Sequence, residues 1–209
     1  MRRVVVKIGG SLLTLPDLSD RLRRLFEGIP ADRILLLVGG GSAANLVRDW
    51  DGIHGLDPEV SHWLAIDSLS LTARLLATLL PEAMLVSDYR SAHDASLSIR
   101  VAILDPIPVL NELSSESGSV LPVGWDCTSD SIAGWIATRW KVDSLILAKS
   151  VDAPFDEASA CAAVDHCFDA VVAEQLPVYW CNVRTRSDHL VLWKAGEPTG
   201  RLSSDACFE

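Results

Sequence analysis

The sequence contains no run of 18 apolar residues, which predicts no membrane-spanning helix. Its start, "MRRVVVKIGG", is charged, but the apolar run stops at Lys7, so no secretory signal is expected. Positive charge is scarce. Lys and Arg number 18 against 28 Asp and Glu, giving a net charge of -10. That balance disfavours a nucleic-acid or anionic-membrane partner. It leaves room for a small anion, because a few lysines and backbone N–H groups can bind phosphate inside an acidic protein. Ordered cysteine spacing is also missing. Cys127, Cys161, Cys167, Cys181 and Cys207 are odd in number and irregular, which fits reduced thiols in a cytoplasm. "CAAVDHC" (161–167) lacks the C-x₂₋₄-C pairs of a zinc site, so no metal site is expected there. There is no internal repeat and no low-complexity segment.

What is present is an alternation. The 209 residues, 49% apolar, suit a single domain over 1–209. Short apolar runs predict strands at Val4–Ile8, Ile34–Val38, Met84–Val86, Val101–Leu104 and Ser144–Ala148, with weaker candidates at Ala170–Val172, Val178–Trp180 and Leu190–Trp193. Between them lie helical patterns: Asp17–Phe26, the segment after Ser42, a long stretch ending before Pro81, and "SIAGWIATRW". "SVLPVGWDCTSD" reads as the end of a strand and a helix cap. Residues 113–119 and 51–59 read as flexible loops. Strands apolar on both faces, alternating with helices, predict an α/β fold with a mainly parallel sheet covered on both sides.

Two strands end in glycine clusters, Gly9-Gly10-Ser11 and Gly39-Gly40-Gly41-Ser42. Glycine admits close approach of a ligand to backbone amides. Ligands of open parallel sheets bind at the carboxyl ends of strands, where both clusters sit. Together they predict an amide-lined phosphate cradle, to which Lys7 adds a full charge. The plainer alternative is a pair of tight strand-to-helix turns. Neither the G-x-G-x-x-G nor the G-x-x-x-x-G-K-[ST] pattern is present.

"VVKIGGSLL", "LLLVGGGSAANLVRD", "TSDSIAGWIA" and "LILAKSVDAPF", in this order, resemble the amino acid kinase superfamily, which includes acetylglutamate, uridylate and isopentenyl phosphate kinases and aspartokinase. The size and "VRDWDGIHGLDPEVSHWLAI" are most similar to the small members acting on aminomethyl-furanmethanol phosphate in methanofuran biosynthesis. The resemblance implies a three-layer α/β/α sandwich of about eight strands. It implies transfer of the ATP γ-phosphoryl group, with Mg²⁺, to a phosphate or carboxylate acceptor, and a homodimer or larger homo-oligomer. By the same resemblance Lys7 neutralises the transferring phosphoryl, and Gly9, Gly10 and Ser11 hold the β/γ-phosphates. Gly39, Gly40 and Gly41 bind near the acceptor, and Asp130 orients the catalytic lysines. Read locally, Asp130 is equally an acidic residue in a first helical turn capped by Thr128 or Ser129.

The chain departs from the family pattern in two places. "AKSVDAP" puts Lys149 and Ser150 where Thr-Asp is usual, with Asp152 retained at the nucleotide side. The segment that carries the usual second catalytic lysine is absent, and Lys149 is the candidate substitute. Lys141, at a helix end, reads as a solvent-facing residue. Two histidines are candidate acceptor ligands: His54, in a Gly-flanked loop, and His62, on the next helix. The alternatives are an exposed loop residue and a ring packed near Trp63. The departures keep open a nucleotide- or oxyanion-binding storage protein of the same fold. Acceptor choice is expected to rest on a few side chains in 51–66 and 87–128. Trp50, Trp63, Trp135 and Trp140, all on predicted helices, suit a core and a subunit interface.

Overall fold

The computed structural model describes residues 1–94, 98–117, 121–154 and 163–195. Seven strands form one sheet: β1 (Arg3–Ile8), β2 (Arg33–Val38), β3 (Met84–Val86), β4 (Val101–Leu104), β5 (Ser144–Lys149), β6 (Val178–Asn182) and β7 (Val191–Lys194). Their spatial order is β3-β4-β2-β1-β5-β6-β7, parallel except for the β6–β7 pair. The helices are α1 (Leu18–Gly28), α2 (Gly41–His54), α3 (Pro58–Leu79), α4 (Tyr89–His93), α5 (Pro106–Ser117), α6 (Ser129–Arg139) and α7 (Phe168–Val171), with a 3₁₀ turn at Gly10–Thr14.

Each expected main strand forms, because β-branched runs apolar on both faces are stable only inside a covered sheet. Alternation along the strands sorts side chains between two cores. Val5, Leu35, Leu37, Leu145 and Leu147 face Val109 and Leu113 of α5 and Ile132 and Ile136 of α6. Val4, Val6, Ile8, Ile34, Leu36 and Ile146 face Leu18, Leu22 and Leu25 of α1 and Leu76 of α3. The result is the expected three-layer α/β/α arrangement, with seven strands among the described residues rather than about eight.

Four local expectations need correction. Ala170–Val172 is not a strand; it overlaps the short helix α7, since a three-residue apolar run cannot tell strand from helix. No strand forms in 121–128, which is an irregular loop before α6. Residues 51–59 are not one long loop: α2 runs through His54, Gly55 ends it with φ +59, and Asp57 caps α3 by accepting the Glu59 N–H at 2.9 Å. The expected loop at 113–119 is helical through Ser117, and 118–119 lie outside the described residues.

Candidate active site

β1 and β2 are neighbours in register, Ile8 beside Val38. The glycine clusters therefore leave the sheet side by side at its carboxyl edge. Gly9 N–H donates to the Ala148 carbonyl at 2.8 Å, and Gly39 N–H to the Ile8 carbonyl at 2.8 Å. A Cβ on Gly10 would lie 2.2 Å from the Gly41 amide nitrogen, and Gly41 has φ +55. The two loops thus meet backbone to backbone, at a separation only glycine permits. Gly40 is as tight, with a built Cβ 2.2 Å from Ser68 Oγ. The segment after β5 joins them: Ser11 Oγ donates to Ser150 Oγ at 3.0 Å.

Strand alternation explains the charges. Lys7 follows Val5 by two residues, and Lys149 follows Leu147 by two, so both cations point to the α6 side of the sheet. The first turn of α6 presents Asp130 between them. Lys7 Nζ lies 2.8 Å from Asp130 Oδ1, and Lys149 Nζ donates to Oδ2 at 2.6 Å. Lys7 is 4% exposed and Asp130 6%. Burial alone would raise the Asp130 carboxyl, but the two ammonium charges overcome it and hold the group below the usual carboxylate range. Lys149 is pushed down to about 8, by burial first and by the Lys7 charge second, with Asp130 opposing both. Its Nζ also donates to the Ala163 carbonyl at 3.0 Å. Asp130 therefore faces the lysines from the helix's first turn. Thr128 makes no side-chain cap. Asp165 accepts the Thr128 and Ser131 N–H groups at 2.9 and 3.1 Å and the Thr128 hydroxyl at 2.7 Å.

Beside the glycine loops opens a cavity of about 510 Å³. One half is polar: Gly10, Ser11, Gly39–Ser42, Thr128 and Ser129, at the starts of the 3₁₀ turn, α2 and α6. Helix starts offer amides without intrahelical acceptors, which suits an anion. The other half is apolar, with Ile66, Leu69, Cys127 and Ile132. Burial pushes the Cys127 thiol up to about 12, so it is a wall and not a nucleophile. His62 lines the cavity, 7% exposed, and its Nδ1 accepts the Gly124 N–H at 3.3 Å. Burial lowers its pKa, which favours the neutral ring. His54 does not join it: it is exposed at the end of α2 and is not part of the lining. Asp152 is exposed and accepts from Asn182 Nδ2 at 2.8 Å.

The sequence reading missed two cavity cations, Arg48 and Arg184. Arg48 was legible in principle, seven residues after Gly41 and so on the same face of α2. Arg184 was not, because it reaches the site from the turn after β6, where it meets Ser11 and Thr14 across 3.5 and 3.4 Å. Lys141 is exposed beyond α6, as expected.

Residues 2–158 match the amino acid kinase family. This chain belongs to that family. A [5-(aminomethyl)furan-3-yl]methyl phosphate kinase from Methanocaldococcus jannaschii is 31% identical over 158 residues, covering 73% of this chain and 68% of that protein. A uridylate kinase from Natronomonas pharaonis is 30% identical over 162 residues, covering 73% of this chain and 64% of that protein. The crystal structure of uridylate kinase from Archaeoglobus fulgidus shares the fold, with a TM-score of 0.60 at 19% identity over 86% of this chain and 90% of that one. Family and relatives are kinases, so the enzyme class expected of this amino acid kinase family member holds. Among its described residues, no helix is long and apolar enough to cross a membrane, and no three acidic, His or Cys side chains are grouped to hold a metal.

Proposed function

We propose that this protein transfers the γ-phosphoryl group of ATP to the phosphate of a small phosphomonoester, such as the aminomethyl-furanmethanol phosphate of methanofuran-type cofactor biosynthesis. One observation carries the reading: Asp130 holds Lys7 and Lys149 together at the carboxyl ends of β1 and β5, beside two touching glycine loops. Phosphoryl transfer asks a protein for positioning and charge neutralisation more than for covalent chemistry. In this reading the Gly9, Gly10 and Ser11 amides cradle the β- and γ-phosphates. Ser150 and Asp152 border the nucleotide. Lys7 and Lys149 offset charge on the oxygens of the group in flight. Gly39, Gly40 and Gly41, with Arg48 and Arg184, take the acceptor's anionic end, and His62 flanks it. Arginine supplies a planar fork of donors that matches a phosphate. Mg²⁺ commonly binds through substrate phosphates and one or two carboxylates, so the lack of a dedicated cluster among the described residues suits it. When bound, it would supply positive charge that neutralises the donor phosphates. Asp152 is the carboxylate on that side.

The outer face of α2 and α3 exposes Leu46, Trp50 and Ile53 at helical spacing, and Val60, Trp63, Leu71 and Leu75 beside them. We read this face as the contact of a homodimer, in a cytoplasmic protein. Trp50→Glu should convert the assembly to monomer in light scattering. Wild-type protein that is already monomeric at micromolar concentration would refute the dimer.

The test of activity is ADP release from ATP and magnesium over a panel of small phosphomonoesters, carboxylates and uridine monophosphate. At least one phosphomonoester should be turned over, and Lys7→Ala should abolish that turnover while the circular dichroism spectrum persists. Unchanged turnover in Lys7→Ala would overturn the assignment. ATP binding by calorimetry with no transfer to any acceptor would favour the storage role instead.

A further inference from the structure

The loop before α6 closes the cavity with an indole that no part of the phosphoryl chemistry uses. Trp125 borders the cavity, and so does Arg48, whose guanidinium carbon sits 4.5 Å from the centroid of the indole. Trp125 Nε1–H donates to Asp51 Oδ2 at 2.6 Å. The preceding residue, Gly124, has φ +127, a conformation that side chains resist, and its N–H is taken by His62. The loop is thus tied to α2 through Asp51 and to α3 through His62. This fixes the indole on the cavity wall beside Arg48.

We propose that Trp125, braced by Asp51 and covered by Arg48, is the specificity wall of the acceptor site, and that it selects phosphomonoesters whose body is a planar ring. Arg48 engages the phosphate end. The ring packs along the indole and the apolar floor of Ile66, Leu69 and Ile132. An acyclic phosphomonoester of similar charge fills the polar half and leaves the indole without a partner. A small heteroaromatic methyl phosphate and a pyrimidine nucleotide share this chemistry. The cavity volume lies within the ordinary range for small-molecule sites.

The inference rests on the kinase reading for the acceptor site, but its test needs no ATP. Calorimetric titrations would compare furfuryl phosphate, uridine monophosphate and glycerol 3-phosphate on the wild type, Trp125→Ala and Trp125→Phe. Loss of an aromatic stacking partner should weaken ring binding about tenfold in Trp125→Ala, with at most about a twofold change for glycerol 3-phosphate, and Trp125→Phe should restore most of it. Whichever ring compound binds tighter to the wild type identifies the source class. If Trp125→Ala fails to fold, Trp125→Leu carries the same comparison. Equal weakening of ring and acyclic ligands, or no preference for rings in the wild type, would overturn the wall. Selective ring binding without phosphoryl transfer would sink the kinase reading and leave the wall standing.

Discussion

Lys7 and Lys149 grip the same carboxylate from opposite surroundings. Lys7 lies inside β1, the central strand, with Leu37 and Leu147 as its register neighbours. Lys149 is the last residue of β5, paired with Asn182, and its Nζ donates to the Ala163 carbonyl. The first cation is locked in place by the sheet itself. The second depends on what packs over the strand end, including Ala163, Asp165 and the face of Trp180, whose ring centroid is 5.5 Å from Nζ. The difference teaches that a strand end can bring a second cation to the same carboxylate as a cation buried inside a strand. A strand end two residues beyond Leu147 points the same way as Lys7, so a lysine placed there reaches Asp130 without any further loop.

The comparison breaks most visibly at Lys7. Lys7→Ala should reduce transfer about 10³-fold or more, since a fixed charge on the reacting group is worth that much in a water-poor site. Steady-state ADP release is the measurement, and a tenfold loss or less would make the two lysines equals. Gly10→Ala comes next. Its Cβ would meet Gly41 backbone at 2.2 Å, and neither loop can give without opening the cradle. We expect about 3 kcal/mol of destabilisation by urea melt and at least about 10²-fold slower transfer. A variant as stable as wild type would show that the loops do not need to touch.

Lys149→Ala should cost about 10²-fold, less than Lys7, because its strand end is nearer to water. Lys149→Arg should recover part of it. The pH profile sharpens the same point. Lys149 is charged below about 8 and neutral above it. Transfer should therefore fall above pH 8, by about tenfold per pH unit, if its charge is needed. Stability runs the other way. The folded group gives up its proton more readily than the unfolded one, whose value is 10.5, so the penalty for burying the charge is present below about 8 and released as pH rises toward 10.5. A flat rate profile to pH 9 would exclude Lys149 from the chemistry. The smallest effect belongs to Asp165, which holds the start of α6 and so Asp130. Asp165→Asn should cost about 1 kcal/mol in thermal melts. Transfer should slow only modestly; unchanged rate and stability would remove Asp165 from the account.

Much of the frame was readable from residues alone. The five main strands, α1, α3 and α6 follow from apolar period and capping. The glycine clusters announced a close backbone approach at the strand ends, because glycine lacks the Cβ that would forbid it. The failures were short or end-of-element: α7 overlapping a three-residue apolar run, α2 running four residues into an expected loop, and His54 on its exposed end rather than on the cavity. His62, one helix later, lies on the cavity, because its position in the second turn of α3 faces the loop before α6. Arg184, Trp125 and Asp165 gave no signal, since each acts through a partner far away in sequence.

By itself the sequence determined the alternation of strands and helices, the chemistry of its loops and the cation at the end of its first strand, because period, glycine and charge are local properties. Only the tertiary structure decided that Gly10 meets Gly41, that Asp130 turns inward between two lysines, and that an arginine covers Trp125. Those are facts of register and strand order, fixed when the whole sheet buries its two faces at once.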